Sequence, residues 1–85
     1  MDRNALRQAL LEMLENNKGE PVEFFDEAMD LRTDLGLDSV DLITLHMEIQ
    51  DRFHLRLLPA EMAHVHLARD LLDLLQARLD VRRAA

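Results

Sequence analysis

Eighty-five residues with 48% apolar side chains make one small globular domain, too short for a deep cleft or a second lobe. The formal charge of −7 disfavours a phosphate backbone as partner. The absence of Cys excludes a disulfide framework, a thiolate metal site and a cysteine nucleophile. Only three Phe, with no Tyr or Trp, leave the core to Leu, Ile, Val and Met, and two Gly with two Pro are too few for a turn-dense β-sandwich. The excess acid is concentrated. Residues 20–51 hold ten acids and a single base, Arg32, while the flanking segments are close to neutral. The N-terminus lacks the apolar run of a signal peptide, and no stretch approaches a membrane span, so a cytoplasmic protein is expected.

Leu6, Leu10, Met13 and Leu14, with Ala5 and Ala9, recur at a helical period and predict a first helix. Asp2 suits its start, and Asn16-Asn17-Lys18-Gly19 supplies residues that tolerate the left-handed conformation at its end. Residues 18–37 show no sustained period and read as a long loop of roughly twenty residues, against a usual connection of about 4–6. Phe24, Phe25, Met29 and Leu31 are expected to pin that loop to the core. A second helix opens at Asp38-Ser39-Val40-Asp41, where Asp38 suits the N-cap and Asp41 the acidic position of a capping box. Leu42, Leu45, Ile49 and Phe53 form its core stripe. Val40, Ile43 and Met47 form a second stripe, and one of the two should stay partly exposed because a small bundle seldom buries both. A short third helix is predicted over 60–64, after Leu57-Leu58-Pro59. A last helix is marked by Leu67, Leu71, Leu74, Leu75 and Leu79, with Arg78, Arg82 and Arg83 near its negative end. The fold class is all-α: three main helices, one short helix, and a long loop between the first two.

The most informative stretch is Asp34-Leu35-Gly36-Leu37-Asp38-Ser39-Val40. Gly36 permits a tight turn, and Ser39 falls in the first turn of a helix, where unpaired N–H groups favour an anionic group. By itself, a serine there is far more often an ordinary helix-start residue. The four His offer no metal site by spacing, since His64 and His66 do not share a helix face, and they are expected to be structural or solvated along with His46 and His54.

The stretch resembles the modification-site signature of acyl carrier proteins, and the likeness extends through the helix order and acidity of most of the chain. The resemblance implies one acyl-carrier-like domain over residues 1–85, with 1–2 and 81–85 frayed. It implies 4′-phosphopantetheine, donated by coenzyme A, esterified to Ser39 and framed by Gly36, Leu37 and Asp38. Such an arm would supply the thiol that the sequence lacks and hold acyl groups as thioesters, so the chain is expected to be a non-catalytic carrier for fatty-acid, polyketide or related synthesis. Asp38 would orient the modifying phosphopantetheinyl transferase and its metal. Asp34, Asp38, Asp41, Glu48 and Asp51 read either as a solvated face or, by the resemblance, as a docking face for basic patches on acyl-loading and acyl-processing enzymes. Val40, Ile43 and Met47 would then give the apolar contact. Leu45, Ile49, Leu57, Met62, Val65 and Leu71 are expected to line an acyl pocket or simply the core.

The chain departs from the family pattern at Val40 (usually Leu), Thr44 (often an acid) and His66-Leu67 (usually Thr-Val). These departures point to a pathway-dedicated carrier as readily as to a housekeeping one. A monomer with no nucleic acid partner and no stable membrane insertion is expected. The alternatives are an aminoacyl or peptidyl carrier, which shares the serine, and an unmodified helical interaction module.

Overall fold

Local sequence signals set the ends of the helices. In the computed structural model, which describes residues 2–84 and side chains as far as residue 81, the order is α1 (Arg3–Lys18), α2 (Ser39–Phe53), α3 (Pro59–Met62) and α4 (Ala68–Ala84). Asp2 caps α1 by accepting from the Ala5 N–H, and Gly19 ends it at φ 72°, donating to the Glu15 carbonyl. Asp38 caps α2 through the expected box: its carboxylate accepts from Asp41 N–H at 2.8 Å, while the Asp41 carboxylate accepts from Asp38 N–H at 3.1 Å. The fold is all-α, as the sequence predicts.

Two ends differ from expectation. The short helix occupies Pro59–Met62 rather than 60–64. Pro59 has the fixed φ that suits a first helical position, and the Glu61 carboxylate accepts from Leu58 N–H at 3.0 Å, so nucleation falls at Pro59. After Met62 the chain tightens into turns, with Val65 N–H donating to the Met62 carbonyl. Asp2 caps α1 and α4 continues to Ala84, while Met1, Ala85 and the side chains of residues 82–84 lie outside the described residues.

The core is almost wholly aliphatic. Leu6, Leu10 and Leu14 from α1, Leu45 and Ile49 from α2, and Leu71, Leu72 and Leu75 from α4 are fully buried, with Phe53 at the end of α2 adding the one buried ring. The long loop supplies Leu31, Leu35 and Leu37 to the same core, and Phe25 and Met29 pack at its edge. Phe24 does not: it is 68% exposed, contrary to expectation. Phe24 and Phe25 are adjacent in irregular chain, and only Phe25 turns inward, beneath the Arg7 guanidinium, 5.7 Å from the ring centre.

Polar bonds hold the loop in place. Leu31 N–H donates to the His66 carbonyl and Ala68 N–H to the Met29 carbonyl, making an antiparallel bridge between Asp30 and Leu67. Arg3 pairs with Glu27 of the loop and with Asp73 of α4, so one guanidinium joins three segments. Glu27 is held below its ordinary value chiefly by the hydrogen bond from Arg3.

Candidate functional site

Gly36 gives the chain its turn into α2. Its φ of 71° lies where an L side chain is strained, and an added Cβ would sit 3.3 Å from Lys18 Nζ, which itself donates to the Leu35 carbonyl at 2.7 Å. The turn drives Leu35 and Leu37 into the core and brings Asp38 and Ser39 to the surface. Ser39 is therefore the first residue of α2, exposed, and its hydroxyl has no hydrogen-bond partner among the described residues. The capping box leaves the Ser39 and Val40 N–H groups pointing out of the helix start with no acceptor among the described residues. A phosphate ester at Ser39 fits here sterically and electrostatically, because an exposed hydroxyl and free helix-end donors sit together.

The expected site residues divide into groups. Val40, Ile43 and Met47 are 69%, 61% and 61% exposed, so the second stripe of α2 is the one left open. Asp34, Asp38, Glu48 and Asp51 lie on the surface or at its edge, and Asp41 is half-buried. Several of these acids hold backbone as well: Asp34 accepts from Asp30 N–H at 2.7 Å, and Asp38 and Asp41 cap each other. Leu37 is 3% exposed and belongs to the core, so it does not meet a group attached at Ser39 as expected.

Beside Ser39 an open groove of about 590 Å³ runs between α2 and the α3 region. Its apolar wall comes from Leu31, Leu42, Ile43, Pro59, Met62, Ala63 and Val65, and its polar wall from Arg32, His46 and His66. Of the pocket residues expected from sequence, Met62 and Val65 line the groove. Leu45, Ile49, Leu57 and Leu71 do not; they are at most 2% exposed and fill the core beneath it. Sequence reasoning missed Arg32, Leu42 and His46 as lining. No local pattern marks them as neighbours, because they come from the loop and from α2 and meet only in the packed fold.

The groove wall is stiffened by polar bonds. His46 Nε2 lies 2.8 Å from the Leu57 carbonyl, which fixes that nitrogen as the protonated one and ties α2 to the connector before α3. Asp30 is held below the usual carboxylate range by the N–H groups of Thr33 and Arg32. Asp70 is likewise depressed, first by the Leu67 N–H and then by that of His66. Among the described residues no three His, Asp or Glu converge as a metal site, and no helix is long and apolar enough to cross a membrane.

Comparison with known proteins agrees with this geometry. The model of the family described as phosphopantetheine attachment site matches residues 4–75. An acyl carrier protein from Saccharopolyspora erythraea is 32% identical, the match spanning all of this chain and 93% of the relative. The crystal structure of an acyl carrier protein from Thermotoga maritima superposes with a TM-score of 0.84 at 31% identity, covering 94% of this chain and 93% of the other. The chain belongs to the acyl carrier protein family, with a phosphopantetheine attachment domain.

Proposed function

We propose that this chain is a non-catalytic, cytoplasmic and monomeric acyl carrier, modified on Ser39 by 4′-phosphopantetheine from coenzyme A. The observation that carries the reading is the exposed, unpartnered Ser39 hydroxyl at the start of α2, inside the Asp34–Val40 stretch. When bound, the arm supplies the thiol on which an acyl group is held as a thioester. The protein's own residues do the rest. Asp38 and Asp41 fix the start of α2, Gly36 turns the chain to expose the serine, and free N–H groups favour the phosphate. The exposed Val40, Ile43 and Met47 stripe, bordered by Asp34, Asp38, Glu48 and Asp51, suits brief, charge-steered docking of a transferase and then of acyl-loading and acyl-processing enzymes with basic patches. Fatty-acid, polyketide or related synthesis is the setting.

Intact mass after incubation with coenzyme A, Mg²⁺ and a broad-specificity phosphopantetheinyl transferase tests this. One phosphopantetheinyl increment is expected on wild type and none on Ser39→Ala. An unmodified wild-type chain would overturn the reading and favour a helical interaction module.

A further inference from the structure

The groove beside Ser39 is not lined by hydrocarbon alone. Arg32, the only base between residues 20 and 51, lines it together with His66. The acids close in sequence to Arg32, to His66 and to Met62 already accept from backbone donors. Asp30 accepts from Arg32 and Thr33 N–H, Asp34 from Asp30 N–H, and Asp70 from His66 and Leu67 N–H. Glu61 accepts from Leu58 N–H and pairs with Arg78. The Arg32 guanidinium has no ion-pair or hydrogen-bond partner among the described residues. An otherwise acidic region thus places its single Arg, a planar fork of donors in direct contact with no described carboxylate, on the wall of the groove.

From this charge pattern we infer that Arg32, supported by His66, is a specificity-determining group of the groove, selecting acyl chains that bear an ionised carboxylate over plain alkyl chains of equal length. The inference rests on the carrier reading above and names the class of cargo. Leu42, Met62 and Val65 contact the methylenes, and the Arg32 fork receives the carboxylate. His46 takes no part in the selection, because its Nε2 proton is committed to the Leu57 carbonyl. The same guanidinium could instead meet the phosphate of an arm on Ser39, so the test separates the two anions.

The unmodified chain is titrated with hexanoyl and adipoyl thioesters of N-acetylcysteamine while the methyl NMR signals of Leu42, Met62 and Val65 are followed. An exposed charge pair is worth a factor of about two to five, so the adipoyl probe is expected to bind tighter by that factor. Arg32→Gln should close the gap without weakening the hexanoyl probe, and Arg32→Lys should retain part of it. Equal or tighter hexanoyl binding, or a gap that survives Arg32→Gln, would overturn the inference. In the modified but unacylated protein, the Arg32 Nε–H signal should stay near its unmodified position and shift on adipoyl loading. A signal moved by the arm alone, with no response to adipoyl cargo, would assign Arg32 to the phosphate and overturn the inference. Failure of Ser39 modification registers separately by mass, while the titration of the unmodified chain still decides the preference of the groove.

Discussion

Asp38 has two separable roles, capping α2 and presenting a negative charge next to Ser39, and paired substitutions divide them. The carboxylate accepts from Asp41 N–H at 2.8 Å, and Asp38 N–H in turn donates to Asp41. Asp38→Ala removes the acceptor and breaks the box. Losing such a cap costs about 1 kcal/mol (range about 0.5–2), which lowers Tm by about 4–8 °C per kcal/mol in a domain of this size. Asp38→Asn keeps a carbonyl acceptor and loses only the charge at the helix start. That interaction is worth about 0.3–1 kcal/mol and falls toward the low end at an exposed position in salt, so Tm should drop by only about 1–4 °C. Thermal melts monitored by circular dichroism provide the stability scale, and time-resolved intact mass provides the rate of modification at Ser39. Asp38→Asn is expected to fold nearly as well as wild type and yet be modified at least about tenfold more slowly, a barrier increase of about 1.4 kcal/mol. If Asp38→Asn is modified at the wild-type rate, the proposed role of its charge in orienting the transferase is wrong and Asp38 is a cap alone.

Leu45→Ala empties a fully buried site and should cost about 2–5 kcal/mol in urea unfolding, a large share of the roughly 4–13 kcal/mol available to a chain of this length. A loss below about 1 kcal/mol would contradict the core described here. Gly36→Ala forces a Cβ onto a left-handed backbone and should destabilise by about 1–2 kcal/mol, with slower modification of Ser39 as the turn shifts; unchanged melts would show that the turn relaxes freely. Met47→Glu, on the open stripe of α2, should leave stability within about 0.5 kcal/mol but weaken transferase or acyl-enzyme binding about tenfold, measured by titration calorimetry. Glu27, Asp30 and Asp70 are all held below their ordinary values, so the folded chain binds fewer protons than the unfolded one. Their contribution is complete above the unfolded carboxylate range near about pH 4 and is lost as pH falls through the depressed folded values. Melts between neutral pH and about pH 3 should show that loss, with a shallower acid limb in Asp70→Asn; a flat acid limb in wild type would refute it.

What the sequence alone determined is whatever a few neighbouring residues can enforce. Asp2, Gly19 and the Asp38–Asp41 pair announce helix ends because the bonds they make span three or four residues, and all three stand as expected. The apolar period of α2 likewise distinguished the stripe of Leu42, Leu45, Ile49 and Phe53 from that of Val40, Ile43 and Met47; the latter is the one left open, and of the former only Leu42 stays half-buried, at the groove. The positive φ of 53° at His54, which ends α2, was not anticipated from the sequence, although His, with Asn and Asp, is among the non-glycine residues enriched in the left-handed region. In the loop no period exists, so nothing local distinguished exposed Phe24 from inward Phe25 or showed that Leu37 belongs to the core rather than to the site. The tertiary structure alone decided the joins between distant segments. Arg3 meets Glu27 and Asp73 across 24 and 70 residues, and Asp30 pairs with Leu67. The groove is gathered from residues 31–32, 39–46 and 59–66, which come together only when α2 and the α3 region pack, and that packing sets Arg32 and His66 beside Ser39.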